Sequence, residues 1–499
     1  MKKTYSVPAI YQSLQSRKDA AGIQAPLKVS VPGSKSITNR ALLLATLANG
    51  KSTLKGVLFS DDSRHFLKCI QDLGFETTVD EETKVITVRG HGGTVPKAEA
   101  DQFVGSAGTA ARFLTAYLGI SNGIYHMDAS EQMRKRPMAP LLDSLKELGC
   151  EVIYENSDKA PAEGHFPFTL KSHGFQKDRI SVNIDSSSQF LSALLIASSL
   201  SERDFTVYIE GTHGRAYIDM TVKMMEQFGV QAVPLYYCTG GMDHGGNDNN
   251  LGNSRNNGSD NNHSSVKTDG SENRNSRCAG CINSTLPMGY RTAAGQTYRA
   301  LDYQVEPDVS AACYFYAMSP LLGIPVQVEH VHFDSLQGDV AFIRILGEMG
   351  CRTADLENGI LVEPPADGVF HGITADMSAC SDQAITLAAI APYADSPTTI
   401  TGIGHIRFQE SDRITAIVTE LRRMGIRCEE MESSITIYPG HPKAALIETY
   451  DDHRMAMGFS LTGLRSAGID IDNPGCCKKT FENYFDVLDQ VIKKLSDDF

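Results

Sequence analysis

Leu142-Asp-Ser-Leu-Lys-Glu-Leu-Gly-Cys150 reads as the end of an amphipathic helix: leucines recur at helical spacing, charged residues fill the other face, and Gly149 supplies the cap that ends it. The pattern returns as Leu67-Lys-Cys-Ile-Gln-Asp-Leu-Gly-Phe75, Val222-Lys-Met-Met-Glu-Gln-Phe-Gly-Val230, Phe342-Ile-Arg-Ile-Leu-Gly-Glu-Met-Gly-Cys351 and Val418-Thr-Glu-Leu-Arg-Arg-Met-Gly-Ile426. Their terminal glycines stand about 75 to 80 residues apart, except for one gap about 45 residues longer. Such a period marks one supersecondary unit repeated along the chain.

A second kind of helix alternates with the first. It has a polar start and is then small or apolar all round, as in Phe190-Leu-Ser-Ala-Leu-Leu-Ile-Ala197. Its copies begin at Ser34-Lys-Ser-Ile, Gly105-Ser-Ala-Gly-Thr, Ser186-Ser-Ser-Gln, Glu306-Pro-Asp-Val-Ser, Cys380-Ser-Asp-Gln and Asp451-Asp-His-Arg. A helix without a polar face must be enclosed by sheet or by other helices, with only its ends reaching water. Six such helices predict an α/β protein of six β-α-β-α-β-β units. A chain of 499 residues exceeds what one core organises, so the units divide into two similar domains of three. The expected division sets residues 1–33 with 306–499 against residues 34–305.

If the buried helices of each domain run parallel, their N-termini emerge together. Each brings free N–H donors and about half a positive charge. Two domains facing each other would then line one cleft with an electropositive rim, although the formal net charge is -14. That acidity argues against nucleic acid or acidic membranes as partners and favours a small polyanionic ligand held by local cations.

The overlong gap coincides with low complexity. Residues 243–283 are dominated by Asn, Gly, Ser and Asp, too polar to offset the cost of ordering, and are expected to form a disordered surface insertion in the second domain. No run of 18 apolar residues exists, and Met1-Lys-Lys-Thr-Tyr-Ser-Val lacks an apolar signal core, so a cytoplasmic protein is expected. The eleven cysteines form no regular framework, which favours reduced thiols. Cys278-Ala-Gly-Cys281 has half of a zinc spacing with nothing to complete it, and no metal is expected.

Val31-Pro-Gly-Ser-Lys-Ser-Ile-Thr-Asn-Arg40 resembles a nucleotide-binding P-loop at first sight, but Ser34 separates Gly33 from Lys35 and the match fails. What remains is a capped helix start with two cations about one turn apart, the outline of an anion site. Further charges stand in Met133-Arg-Lys-Arg-Pro-Met138, Gln409-Glu-Ser-Asp-Arg413, Asp452-His-Arg454 and Cys477-Lys-Lys-Thr-Phe481. Asp382 opens an apolar helix, where a carboxylate also serves as a cap, and Glu410 and Asp412 are possible partners of Arg413.

These motifs resemble those of the enolpyruvyl transferases, in the branch that acts on shikimate 3-phosphate. The likeness rests on Val31–Leu44, Gly105-Ser-Ala-Gly-Thr-Ala-Ala-Arg112, Ser187-Ser-Gln-Phe-Leu-Ser-Ala-Leu194, Gln409–Arg413 and Tyr450-Asp-Asp-His-Arg-Met-Ala-Met457, in the family's order. It implies the family's inside-out α/β barrel fold, a monomer without cofactors, and two small-molecule substrates, phosphoenolpyruvate and shikimate 3-phosphate. By the same resemblance Lys35, Gly108, Arg136, Gln189, Arg413, Arg454 and Lys479 would hold phosphoenolpyruvate. Lys35, Ser36, Arg40, Ser187, Ser188, Gln189, Asp382, His405 and Gln409 would hold shikimate 3-phosphate. Asp382 would be the base on the 5-hydroxyl, with Glu410 and Lys35 delivering a proton to the methylene carbon.

Several positions depart from the family pattern. Gln409 replaces a lysine, Gly214 a serine, His405 and Ser106 asparagines, and Phe113 a proline. Arg215, Arg407 or His405 would have to compensate for the lost grip on the acceptor phosphate. The alternatives are a transferase acting on UDP-N-acetylglucosamine and a non-catalytic binding protein of the same fold.

Overall fold

All six polar-to-apolar junctions produce buried helices: Lys35–Leu47, Gly108–Ile120, Gln189–Ser198, Val309–Tyr316, Ala384–Ile390 and His453–Arg465. In Gly108–Ile120 and Ala384–Ile390 every residue is buried, as their lack of a polar face requires. The amphipathic helices follow in alternation, and Gly74, Gly149, Gly229, Gly350 and Gly425 all take positive φ at their ends. The computed structural model describes residues 4–21, 25–154, 163–211, 214–236 and 286–497; the insertion at 243–283 and the Cys278/Cys281 pair lie outside them.

Five four-stranded sheets share one plan. In each, the first and second strands of the unit are parallel and a closing antiparallel hairpin adds its fourth strand beside the second. Glu99–Phe103, Asn122–Asp128, Phe168–His173 and Glu151–Tyr154, in that spatial order, are one example. The sixth unit has no such hairpin. Its parallel pair, Ala445–Ile447 and Ile469–Asp472, is completed by Thr4–Ser6 from the start of the chain. The sheets remain separate and no closed strand barrel is formed among the described residues.

Two units borrow their first strand. Leu27–Val29 pairs with Val326–Val328, and Asp302–Gln304 pairs with Asn49–Lys55, so the chain crosses twice between two halves. One hydrophobic core gathers residues Ile37 to Val305, the other Val7 to Val29 with Val309 to Leu495. The crossings are tied together: Ser34 N donates to Glu306 O at 2.8 Å and Asp308 N to Pro32 O at 2.8 Å. At Gly33 any Cβ would lie 1.9 Å from Gly56 O, so only glycine fits there. Both crossings lead directly into buried helices, which places the helix starts of the two halves face to face.

Candidate functional site

The N-terminal ends of the buried helices line one open cleft of about 920 Å³, counting its mouth. Lys35 and Ser36, Gly108 and Thr109, Ser188 and Gln189, Ser381 and Asp382, and His453 and Arg454 all reach it. The sixth start, at Asp308 and Ser310, lines a smaller cavity beside it. Among the residues singled out in the sequence, Arg40, Arg136, Ser187, His405, Gln409, Glu410 and Arg413 also line the cleft. Lys479 does not, but its Nζ lies 3.0 Å from Glu410 Oε1.

Arg413 is the electrostatic centre of the cleft and is 1% exposed. Its Nε donates to Asp452 Oδ2 at 2.7 Å, Nη1 to Asp382 Oδ1 at 2.8 Å, and Nη2 to Glu410 Oε2 at 2.9 Å. Gln409 Oε1 accepts from the same Nη1. Arg454 Nη2 donates to Asp382 Oδ2 at 2.7 Å. Tyr217 donates its phenol to the same oxygen at 2.9 Å. Burial alone would push the Asp382 carboxyl up; the attraction of Arg454 and Arg413 outweighs it and holds Asp382 down at about 2. Glu410 is likewise held well below the carboxylate range despite its burial, by Lys479, Arg413 and Arg136. Lys35, Arg136, Arg413 and Arg454 each lie within ion-pair distance of a carboxylate, whereas Arg40 has none among the described residues.

Asp452 serves a second purpose. As the cap of His453–Arg465 it accepts from Arg454 N at 3.0 Å, fixing the start of the helix that carries Arg454. Lys35 Nζ lies 3.4 Å from Asp62 Oδ2, and Lys35 N donates to Asp308 Oδ2 across the halves at 3.2 Å. Arg40 donates to Thr221 Oγ1, Ser36 O and Tyr217 O. Its burial lowers it to about 10.

The departures from the family pattern separate into structural and chemical ones. Gly214 has φ +66°, and a Cβ there would stand 2.4 Å from Ser188 Oγ; the space a serine would need is taken by Ser188. Ser106 bonds Ser130 Oγ at 2.6 Å, a purely local contact. Phe113 is fully buried with the Arg40 guanidinium 5.2 Å from its ring centroid. Of the three expected compensating residues, Arg407 is committed to Asp412, Glu430 and two carbonyls, and Arg215 to Pro287 O and Gly211 O. Their terminal guanidinium nitrogens are used within the fold, and neither residue lines the cleft. His405 does, with Nε2 2.8 Å from Ser381 Oγ. Asp412 pairs with Arg407 and caps its own helix, leaving Glu410 as the nearer partner of Arg413.

Tyr217 and His453 were not singled out individually from the sequence. Tyr217 sits early on an ordinary amphipathic helix, and only the fold brings it to Asp382. Neither ring nitrogen of His453 has a hydrogen-bond partner. Burial, then Lys35 and Arg454, push its imidazole well down, so it faces the cleft uncharged.

The family model described as EPSP synthase (3-phosphoshikimate 1-carboxyvinyltransferase) matches residues 23–233 and 288–488. The chain belongs to this family. It is 39% identical over 458 residues to the 3-phosphoshikimate 1-carboxyvinyltransferase of Trichormus variabilis, covering 92% of this chain and 94% of that one. Against the enzyme of the same name from Nostoc punctiforme the identity is 39% over 467 residues, covering 93% of this chain and 96% of the relative. A solved EPSP synthase structure from Acinetobacter baumannii shares the fold, with a TM-score of 0.69 at 22% identity over 98% of each chain. The residues of the family match include every one that lines the cleft. Among the described residues no group of His, Cys, Asp and Glu is arranged to hold a metal ion, and no helix is long and apolar enough to cross a membrane.

Proposed function

We propose that this chain transfers the enolpyruvyl group of phosphoenolpyruvate to the 5-hydroxyl of shikimate 3-phosphate and releases inorganic phosphate. Within the family match, the observation that carries this reading is the convergence of Lys35, Arg136, Arg413 and Arg454 on one cleft, with Lys479 behind them on Glu410. Each substrate brings a phosphate and a carboxylate. Their mutual repulsion has to be offset before the reacting atoms meet, and fixed cations at helix starts do that without reorganising at the moment of reaction.

Phosphoenolpyruvate lies on Lys35, Gly108, Arg136, Gln189, Arg413, Arg454 and Lys479. Shikimate 3-phosphate lies on Lys35, Ser36, Arg40, Ser187, Ser188 and Gln189, with His405, Gln409 and Asp382 on the facing side. We read the ion pairs of the cleft as the switch for this chemistry. Substrate anions draw Arg413, Arg454, Arg136 and Lys479 away from Asp382 and Glu410, and both carboxylates regain basicity as their cationic partners leave. Asp382 then takes the proton of the 5-hydroxyl as its oxygen attacks the substituted carbon of the enol, while Glu410, having taken up a proton from solvent as its cationic partners leave, or Lys35 delivers a proton to the methylene carbon. The tetrahedral adduct expels phosphate, and loss of a proton from the new methyl group restores the double bond.

The same reading divides the chain into residues 1–33 with 306–499 and residues 34–305, two bodies closing on the substrates. It also makes the protein a cytoplasmic monomer, which sedimentation of the purified chain checks. The deciding experiment is phosphate release from phosphoenolpyruvate with shikimate 3-phosphate or UDP-N-acetylglucosamine as acceptor. Release with shikimate 3-phosphate alone is expected; release with the nucleotide sugar, or with neither from folded protein, overturns the reading. Asp382→Asn is expected to lower kcat by about 10³-fold with the fold intact.

A further inference from the structure

Behind the cleft lies a second cavity of about 440 Å³, counting its mouth, which shares Lys35, Ser36, Tyr217, His453 and Arg454 with it. Its wall contains a carboxyl that the mechanism above leaves unused. Asp339, in the short turn Gly338–Val340, is 3% exposed and forms no ion pair among the described residues. Its Oδ2 accepts from Ser310 Oγ at 2.8 Å and its Oδ1 from Gln383 Nε2 at 3.1 Å, both neutral donors. Gln383 follows Asp382 in the turn Ser381–Gln383, and Tyr217, which lines the same cavity, holds Asp382 Oδ2 by its phenol.

The groups facing Asp339 come from four elements. They are Asp308 and Cys313 from the helix Val309–Tyr316 and its cap, Cys380 and Asp382 from the turn Ser381–Gln383 and its cap, Tyr217, and Arg454. Arg454, committed to Asp382, is the cation that acts on Asp339, and Lys35, which lines the same cavity, pairs with Asp62. Burial first, and then the charge of Asp382, push the Asp339 carboxyl up to about 6, against the weaker pull of Arg454 and the two hydrogen bonds. The two carboxyls thus oppose each other's ionisation, one held low by arginines and the other high by its surroundings.

We propose that Asp339 is a positioning residue that sets the basicity of Asp382 from behind the cleft: ionised, its charge makes Asp382 a stronger base toward the acceptor hydroxyl, and protonated, it leaves Asp382 settled on its two arginines. The step is a proton exchange alone. Asp339 gives its proton to solvent, and no bond other than O–H is made or broken. The proposal rests on the reading of Asp382 as the base.

Asp339→Asn keeps an acceptor for Gln383 and offers Ser310 a donor, so it removes charge with little change of shape. Like charges raise each other's pKa, so losing the Asp339 charge makes Asp382 the weaker base. The acid limb of kcat against pH is expected to move down by about one pH unit, with the plateau falling about threefold and KM unchanged. A purely structural role would move neither the limb nor its shape. A carbon-13 titration of the Asp339 carboxyl in the full-length protein adds a second reading that does not need the variant to fold. Replacing Asp382 by Asn removes a like charge, so Asp339 is expected to titrate at lower pH. Wild-type turnover by Asp382→Asn overturns the base assignment and this proposal with it. An inactive Asp382→Asn together with an unmoved Asp339 titration, or with a kcat profile of folded Asp339→Asn that superimposes on the wild type, overturns this proposal alone.

Discussion

The two halves bury their arginines in opposite ways. In the half built from residues 37–305, Arg40 and Arg112 are each 1% exposed, yet neither has a carboxylate within ion-pair distance among the described residues. Arg112 donates only to Gly108 O, Met133 Sδ and Pro137 O, and its burial, with Arg136 nearby, lowers it well below the guanidinium range. Both rest on aromatic rings, Arg40 on Phe113 and Arg112 on Phe190. In the other half Arg413 and Arg454 share Asp382, and Arg413 adds Glu410 and Asp452. An unpaired buried cation is costly, whereas a paired one is already satisfied. On the proposed function the first half, through Arg40, is the receptor that offers substrate an unpaired cation, and the second is a charge lattice that substrate opens before its carboxylates work.

The sharpest break in this contrast is Arg413→Met. It leaves the buried Asp452 without its cation and takes one cationic partner each from Asp382 and Glu410, which keep Arg454 and Lys479, so a loss of about 3 to 5 kcal/mol in unfolding free energy is expected along with the loss of turnover. Denaturant titration beside the phosphate assay measures both. A variant as stable as the parent would mean that the lattice is not structural.

Arg40→Met asks the reverse question. Removing a buried cation that has no carboxylate partner leaves no opposite charge stranded, and an apolar side chain of similar volume fills the site, so the melting temperature should hold or rise. Affinity for shikimate 3-phosphate should fall about 100-fold, the cost of one charged contact. If Arg40→Met destabilised as much as Arg413→Met, the two halves would not differ in the way described.

How much of this contrast was legible in the chain depends on whether a residue acts through its position on a helix or through the partners it finds. The six helix starts were readable because burial leaves its mark locally: a helix such as Phe190–Ala197 has no polar face and can only expose its end. The sixth amphipathic helix, Tyr484–Asp497, escaped the repeat because no glycine ends it and the closing hairpin of its unit is absent, its place taken by Thr4–Ser6. Such an exchange of distant strands leaves no trace in periodicity. Partner choice was equally hidden. Asp412 and Glu410 look alike beside Arg413, yet the turn between them sends one outward to Arg407 and the other into the cleft. Asp339 stands in a loop stretch with no motif, and only packing brings it behind Asp382.

The mildest test falls at the border between the two arrangements, at Gly108. A Cβ there would lie 3.1 Å from Arg136 Nη1, 3.2 Å from Arg112 Nη1 and 3.2 Å from Gln189 Oε1. Those neighbours are the ends of side chains and can yield by a few tenths of an ångström, and Gly108 does not have positive φ, so alanine fits the first turn of Gly108–Ile120 without backbone strain. The fold is therefore expected to be unchanged or more stable by up to about 1 kcal/mol. The cradle, however, loses the close approach of backbone to ligand that glycine permits, and Arg136 and Gln189 are displaced from their places around it. KM for phosphoenolpyruvate should rise about tenfold, with KM for shikimate 3-phosphate nearly unchanged. Equal rises in both constants would place Gly108 in a wall common to the two substrates, and the receptor half would then have to be described as one undivided surface.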